Sequence, residues 1–471
     1  MSPDEFLRAA EEHARWIAAY FSGVRELPVL PAVKPGEIRA ALPASAPEEG
    51  EPIEQIFADF QSQILKGLTL WNHPRFFAWF AISSTPPAIL AEMLTSTLNV
   101  NAMLWKASPA ATELEQVTLA WLRQWLDLPD KFFGIIYDTA SVSVFQALAA
   151  AREWIDPDCR MEGMRPGLTV YLSDLTHSSA EKAAIALGFG QAYVRKIGVD
   201  RAFRMRPDLL ERALAEDIRA GLRPCAIVAT IGTTSVASVD PIAQIADLAE
   251  KYRVWLHVDG AYGGSAAVVP EMRHVLAGAE RADSITINPH KWLYVPVDLS
   301  VLYTRHPDVL RRSAALTAEY LKTPEDDQAV NYMDYGIQLG RRFRALKLWY
   351  VMRYYGREGI TRLLRESLRL AKMLETWIQE DPAFEMSAPV LFSLVCFRHR
   401  LSNELNERLL AEVNATGRAL LSHTVLNGKY VVRFAIGNFQ TEEADIAATW
   451  TLIRDTATRL TEEFTPTAAR G

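Results

Sequence analysis

Cysteine is scarce in this chain. Its 471 residues include three, Cys159, Cys225 and Cys396, far apart and in no metal-ligand spacing. That excludes a disulfide framework and a cysteine-built zinc site, and fits reduced thiols in or near the core of a cytoplasmic protein. Long apolar runs are missing too: no stretch of 18 or more apolar residues occurs, so nothing is expected to span a bilayer. The opening "MSPDEFLRAAEEHARW" is charged from its fourth residue and lacks the basic-then-apolar order of a signal peptide. Basic residues are outnumbered, 50 Lys and Arg against 57 Asp and Glu for a net charge of −7, and they form no stripe. A nucleic-acid or anionic-membrane partner is therefore not expected. Internal repeats and low-complexity tracts are absent as well.

Hydrophobic residues make up 49% of the chain, enough for a sizeable core, yet the length exceeds what one core usually holds. Residues 3–23 read as a helix with Phe6, Ala14, Ile17 and Tyr20 on one face. A Pro-rich connector ("LPVLPAVKPGEI") and an acidic turn lead to a second helix near 53–67. Such an arm has too little surface for a core of its own; it either wraps another body or hangs as a helical appendage. From about 86 to 305, helices (87–98, 109–127, 141–155, 178–187, 207–220, 241–252) alternate with short apolar runs. The runs at 133–137, 168–172, 191–195, 225–230, 254–258, 284–288 and 299–303 are candidate strands. This alternation predicts an α/β domain with a mostly parallel sheet. Long helices (341–355, 359–379) and a mixed tail follow. The expected division is an arm over 1–85, a large α/β domain over 86–355 and a small α+β domain over 356–471.

Three stretches could carry chemistry. In "VWLHVDGAYGGS" a hydrophobic strand ends on Asp259, and strand carboxyl ends form the ligand crevice of doubly wound sheets. An Asp there is often a mere helix cap. However, "SITINPHKW" brings Lys291 to the end of the next strand, after a helix-like segment over 270–283 and one right-handed crossover. A lysine amid so much apolar surface is costly unless something takes up its charge. The third stretch, "IIYDTASVSVFQALAAARE", runs a strand into small hydroxyl residues that open a helix, which is a phosphate site at the dipole's positive end or a plain N-cap. His177 in "SDLTHSS" and the turn "TIGTTSVASVD" each follow a strand. A phosphate cradle, an acid for a ring nitrogen, a flat group to stack and a lysine for an aldehyde are together what pyridoxal 5′-phosphate requires.

At these residues the sequence resembles the group II pyridoxal-phosphate decarboxylases, and among them the aromatic-L-amino-acid decarboxylases. The motifs are "HPRFFAWF", "SPAATELE", "HVDGAYGGSA", "INPHKWL", "LGRRFRALKLW" and "VVRFAIGN", in order along nearly the whole chain. The resemblance implies the aspartate-aminotransferase-like fold (fold type I) and an obligate homodimer with interface active sites, the N-terminal arm packing across it. It implies Lys291 as the Schiff-base lysine, Asp259 as partner of the ring nitrogen with Ala261 beneath the ring, and His177 stacked on its other face. Ala140 and Ser141 match the phosphate cradle, with Asn288 and Thr234 near the ring substituents and His290 toward phosphate or substrate carboxylate. Tyr320 falls where family decarboxylases keep the tyrosine that protonates Cα after CO₂ leaves; relatives with phenylalanine there tend to be aldehyde synthases. Implied, then, is decarboxylation of tryptophan, phenylalanine, tyrosine or DOPA to the arylalkylamine.

Two regions depart from the family's pattern. The usual Gly-Ser-Ala-Ser-Glu type of run reads Asp138-Thr139-Ala140-Ser141-Val142 here. Asp138 puts an acid near a dianion, which is unfavourable unless it points away or meets a cation. In the substrate pocket, Trp71, Phe80 and Trp105 are kept, while Ile82, Asn101 and Met103 stand in place of other residues. No basic residue replaces them to hold a side-chain carboxylate; Arg75, the one candidate, is expected at the surface. An aromatic aldehyde synthase and a catalytically silent cofactor-binding homodimer are the alternatives.

Overall fold

Short β-branched runs bounded by Gly, Pro and Asp become twelve strands in the computed structural model, which describes residues 1–316, 321–325 and 328–464. They are β1 (Phe76–Phe77), β2 (Phe133–Tyr137), β3 (Leu168–Ser173), β4 (Val194–Ile197), β5 (Arg223–Thr230), β6 (Trp255–Asp259), β7 (Ser284–Ile287), β8 (Ser300–Thr304), β9 (Phe384–Met386), β10 (Leu394–His399), β11 (Leu420–Leu426) and β12 (Lys429–Ala435). The chain forms two compact units. The larger spans Ile82–Lys372 and Ala388–Cys396; the smaller comprises Met1–Ala81, Met373–Ser387 and Phe397–Gly471.

The larger unit is built on a seven-stranded sheet of order β2-β8-β7-β6-β5-β3-β4. Pairs from β7 through β4 are parallel, while β8 runs antiparallel to both its neighbours. This is the α/β architecture anticipated, with β3, β6, β7 and β8 fully buried as a covered sheet requires. Helix Ala140–Ile155 lies over the sheet, and its Val144, Ala147, Leu148 and Ala151 join Ile135, Val170, Leu172 and Val228 in one buried cluster. Truncating such a residue, Leu148 for example, costs about 2–5 kcal/mol.

Two local readings differ from the structure. The strand expected at 191–195 forms at Val194–Ile197 instead, after a 3₁₀ turn over Gln191–Tyr193. The segment 270–283 is not an α-helix but 3₁₀ turns, Pro270–Leu276 and Ala279–Arg281. Gly278 explains the break: its φ is +91°, and a Cβ there would lie 2.5 Å from the backbone nitrogen of Ala243. The β6–β7 crossover thus runs through tight turns, which hold the two strand ends close.

The smaller unit carries a sheet of order β1-β11-β12-β10-β9. Its N-terminal helix, Pro3–Gly23, opens with a full capping box between Ser2 and Glu5. The second helix, Ile53–Asp59, relaxes into a π turn over Phe60–Ile64. His13 stacks on Phe57 at 3.9 Å, and Trp16 meets Phe57 and Phe60 edge-on. Even so, helix Pro3–Gly23 buries none of its 21 residues. Among the described residues no helix is long and apolar enough to cross a membrane.

Candidate active site

Register brings the acid and the lysine together. In the parallel β6–β7 pair Asp259 faces Thr286. Alternation therefore sets Trp255, His257 and Asp259 on one face of β6 beside Ser284, Thr286 and Asn288. β7 ends at Ile287, Asn288 caps the short helix Pro289–Trp292, and Lys291 rises from its single turn. Pro289 is suited to that first helical position because its missing N–H would be unpaired anyway. Close approach at the Gly260–Gly264 turn is obligatory at Gly263, where a Cβ would sit 2.7 Å from the carbonyl oxygen of Ile231.

Asp259 is 5% exposed. Its Oδ1 accepts the N–H of Ala261 at 3.0 Å, and Oδ2 has no donor among the described residues. A carboxylate oxygen that no protein group donates to is open to a ligand that brings an N–H, as a protonated pyridine nitrogen does. Burial pushes the Lys291 amine below its ordinary pKa, with Asp259 opposing; a lysine so placed is readily deprotonated and nucleophilic. Burial likewise lowers His177, opposed by Asp259 and reinforced by Lys291 and Lys182. His177 caps helix Ser178–Ala186, its Nδ1 accepting the N–H of Ser179 at 3.3 Å and lying 2.8 Å from the Ser179 hydroxyl. A backbone N–H can only donate, so the neutral ring carries its proton on Nε2.

His290 is fixed more tightly still. Its Nδ1 accepts from Leu299 N at 2.9 Å, and Nε2 lies 3.2 Å from the Asn288 amide. Burial first, then Lys291 and Lys347, hold its pKa at about 3, against Asp298 and a hydrogen bond to the Asp138 backbone. Both ring nitrogens are thus engaged by protein. Asn288 in turn accepts the Ser300 hydroxyl at 2.6 Å, which lies 2.8 Å from that of Ser143. This chain of polar groups ties the lysine turn to helix Ala140–Ile155. Ser143 and Ser300 went unnoticed in the sequence; lone serines give no signal until strand register is known.

Helix Ala140–Ile155 begins after Thr139, and the N–H groups of Ala140 and Ser141 have no acceptor among the described residues. Two free N–H groups, an exposed Ser141 hydroxyl and the positive end of a 16-residue helix suit a phosphate. Thr234 lies in the turn after β5, partly buried, and Ala261 is buried directly after Gly260. The donor set, the open acceptor of Asp259 and the amine of Lys291 fit pyridoxal phosphate.

Of the residues expected to meet substrate, Trp71 and Phe80 belong to the smaller unit and Ile82, Asn101 and Met103 to the larger. In the smaller, Trp71 stacks 5.0 Å from Trp79, and Phe80 lies under the Arg433 guanidinium at 5.5 Å. In the larger, Ile82 is partly buried, Met103 packs against the Leu104–Leu321–Met333 cluster, and Asn101 accepts the backbone N–H of Arg341 at 2.9 Å. Arg75 is not at the surface as expected. Its guanidinium donates to the carbonyl of Arg25 at 2.9 Å and lies 3.5 Å from Asp445, a structural tie within the smaller unit. Tyr320 lies outside the described residues.

A buried ion pair stands behind the cradle. Arg341 Nη2 donates to Glu115 at 2.7 Å and to the carbonyl of Ile136 at 2.8 Å, and Nη1 to that of Ala102 at 3.1 Å. Glu115 also accepts the N–H of Ile136. Both residues sit in motifs noted above, "SPAATELE" and "LGRRFRALKLW", but their meeting was not legible there.

Comparison with known proteins accords with this geometry. The chain is 39% identical to a tryptophan decarboxylase of Camptotheca acuminata (98% of this chain, 96% of that one) and 38% identical to a phenylacetaldehyde synthase of a Rosa hybrid cultivar (97% and 94%). The crystal structure of the Oryza sativa decarboxylase with pyridoxal phosphate and tryptamine superposes with a TM-score of 0.95 at 37% identity, covering 98% of this chain and 99% of that one. The model of the pyridoxal-dependent decarboxylase conserved domain matches residues 35–400, and the chain belongs to that family.

Proposed function

We propose that this protein decarboxylates an aromatic L-amino acid to its arylalkylamine, using Lys291, Asp259, His177 and Tyr320. It is a pyridoxal-phosphate-dependent carboxy-lyase. The observation that carries the assignment of residues is Oδ2 of Asp259, without a donor among the described residues and one crossover from a lysine whose amine burial pushes below its ordinary pKa. When bound, the cofactor supplies an aldehyde that takes up an amine and a ring that accepts the electrons of a breaking bond at Cα.

Lys291 would offer the amine that holds the cofactor's aldehyde. Asp259 Oδ2 would accept the N–H of the ring nitrogen. His177 would pack against the ring and offer Nε2–H as a donor, while Ala140, Ser141 and their helix would hold the phosphate. His290 and Asn288 brace the lysine turn, and Tyr320 returns a proton to Cα, which favours the amine over the aldehyde. Thr234, Ala261, Trp71, Phe80, Ile82, Asn101 and Met103 complete the cofactor and substrate surroundings. Because Arg75 is held by Asp445 and the Arg25 carbonyl, it is not available to a side-chain carboxylate, which supports aromatic over acidic substrates.

The working form is a homodimer. Leu90, Met93, Leu94 and Leu98 are all exposed on helix Pro86–Leu98, and Phe6 and Leu7 are exposed on helix Pro3–Gly23. Two amphipathic helices that leave their apolar residues in water call for a covering surface, and a second copy supplies it. The cytoplasm is the compartment that suits three buried free thiols.

The experiment is a substrate panel. Purified protein with pyridoxal phosphate and L-tryptophan, L-tyrosine, L-phenylalanine or L-DOPA should release CO₂ and amine in equal amounts, and Lys291→Ala should lose the visible absorbance of the lysine-bound cofactor. Oxygen uptake with ammonia and peroxide in place of amine would identify an aldehyde synthase and remove the role given to Tyr320.

A further inference from the structure

Resting on the cofactor reading above, we infer that Asp138 sets the affinity of this site for the cofactor's phosphate, acting as a fixed anion at the mouth of the cradle. Thr139, the N-cap of helix Ala140–Ile155, makes no capping hydrogen bond with its own side chain. The preceding residue caps in its place. Asp138 Oδ1 accepts the Thr139 N–H at 2.6 Å and the Thr139 hydroxyl at 3.2 Å, and Oδ2 accepts the Gln338 amide at 3.2 Å. Among the described residues no lysine, arginine or histidine forms an ion pair with it.

The carboxylate therefore neither points away from the helix end nor meets a cation. It takes one of the cradle's N–H groups, leaving those of Ala140 and Ser141. It also stands at the helix's positive end, where a negative charge is favoured. Gln338 fixes its position without cancelling its charge. In the cofactor-free protein Asp138 supplies the anion that the helix favours. A phosphate entering the same cradle meets a like charge a few ångströms away and finds the dipole already partly satisfied. The penalty falls on the phosphate and not on the ring, aldehyde or lysine. Affinity for pyridoxal phosphate is thus lowered, while affinity for pyridoxal, which lacks the phosphate, is untouched.

The test is a pair of titrations. Cofactor-free wild type and Asp138→Asn are titrated with pyridoxal phosphate and with pyridoxal, read by tryptophan fluorescence, by the visible band of the lysine-bound ligand and by borohydride trapping at Lys291. Asparagine keeps an oxygen for the Thr139 N–H and removes the charge; Asp138→Ser, a smaller neutral capping residue, repeats the comparison should asparagine misfold. The expected result is a Kd for pyridoxal phosphate at least about tenfold lower in the variant, with pyridoxal changed less than about twofold. An unchanged or higher Kd for pyridoxal phosphate overturns the inference, as does equal tightening of both ligands. If neither ligand labels Lys291 in either protein, the cofactor reading itself fails and takes the inference with it.

Discussion

Removing the Arg341 guanidinium should loosen the cradle from behind. Glu115 is 2% exposed and Arg341 7%, so neither charge has water to fall back on. In Arg341→Met the carbonyls of Ile136 and Ala102 lose charged donors, and Glu115 keeps one backbone N–H as its sole partner among the described residues. Breaking a buried pair by removing one partner costs about 3–5 kcal/mol. Glu115→Gln should cost about 1–3 kcal/mol, because the amide oxygen can still accept the Ile136 N–H but no longer balances the guanidinium. The double variant carries no buried charge, so its loss should fall short of the sum of the singles by about 2 kcal/mol, within the range of directly coupled residues. Urea unfolding of the cofactor-free proteins, followed by tryptophan fluorescence, gives the three stability differences. Hydrogen exchange at the Ile136 amide gives the local one. Additive losses, within about 0.5 kcal/mol, would refute the clamp. So would an Ile136 amide that stays protected in Glu115→Ala.

Two more tests address the fold and its assembly. Buried His257 and His290 stay neutral in the folded chain, with pKa values of about 4 and about 3, against 6.5 ordinarily. Their contribution to stability is complete above about pH 6.5 and is lost as pH falls toward 4. Asp240 acts oppositely: burial outweighs its bonds from Met205 N and Thr230 N and raises it from 3.8 to about 6. It therefore favours the fold below about pH 4, an effect lost as pH rises through 6. At about 1.36 kcal/mol per pH unit each, two histidines outweigh one aspartate. Unfolding free energy should fall between pH 6.5 and 4.5, and Asp240→Asn should steepen the fall; a shallower fall in the variant contradicts the assignment. For the assembly, light scattering should report about twice the chain mass. Leu90→Glu with Leu94→Glu should give the single-chain mass, and an unchanged dimer would direct attention to another face.

Much of this site can be read from the chain itself, and the reason is strand register. Asp259 closes an apolar strand just before Gly260, and Lys291 follows a β-branched run that stops at Pro289, so their placement at neighbouring strand ends follows from periodicity and one crossover. What is not legible depends on contacts far apart in sequence. Glu115 and Arg341 meet across 226 positions and Asp138 meets Gln338 across 200, and neither spacing leaves a trace in local pattern. The same holds for Ser143 of the helix and Ser300 of β8, whose hydroxyls meet across 157 positions. The misread turns over 270–281 have a different cause. Their composition is helical, but Pro270 and Gly278 sit where the backbone must change direction.

The position of β8 also dictates an order of events during synthesis. β2, the strand that leads to Asp138 and helix Ala140–Ile155, lies at the edge of the sheet, with β8 as its one neighbour among the described residues. Residue 137 leaves the ribosome long before residue 300, so β2 must wait for some 160 further residues before it has a strand to pair with. Lys291 emerges in the same late interval. The sheet around β2 and β7 is therefore closed only when β8 docks, after residue 304 has been made.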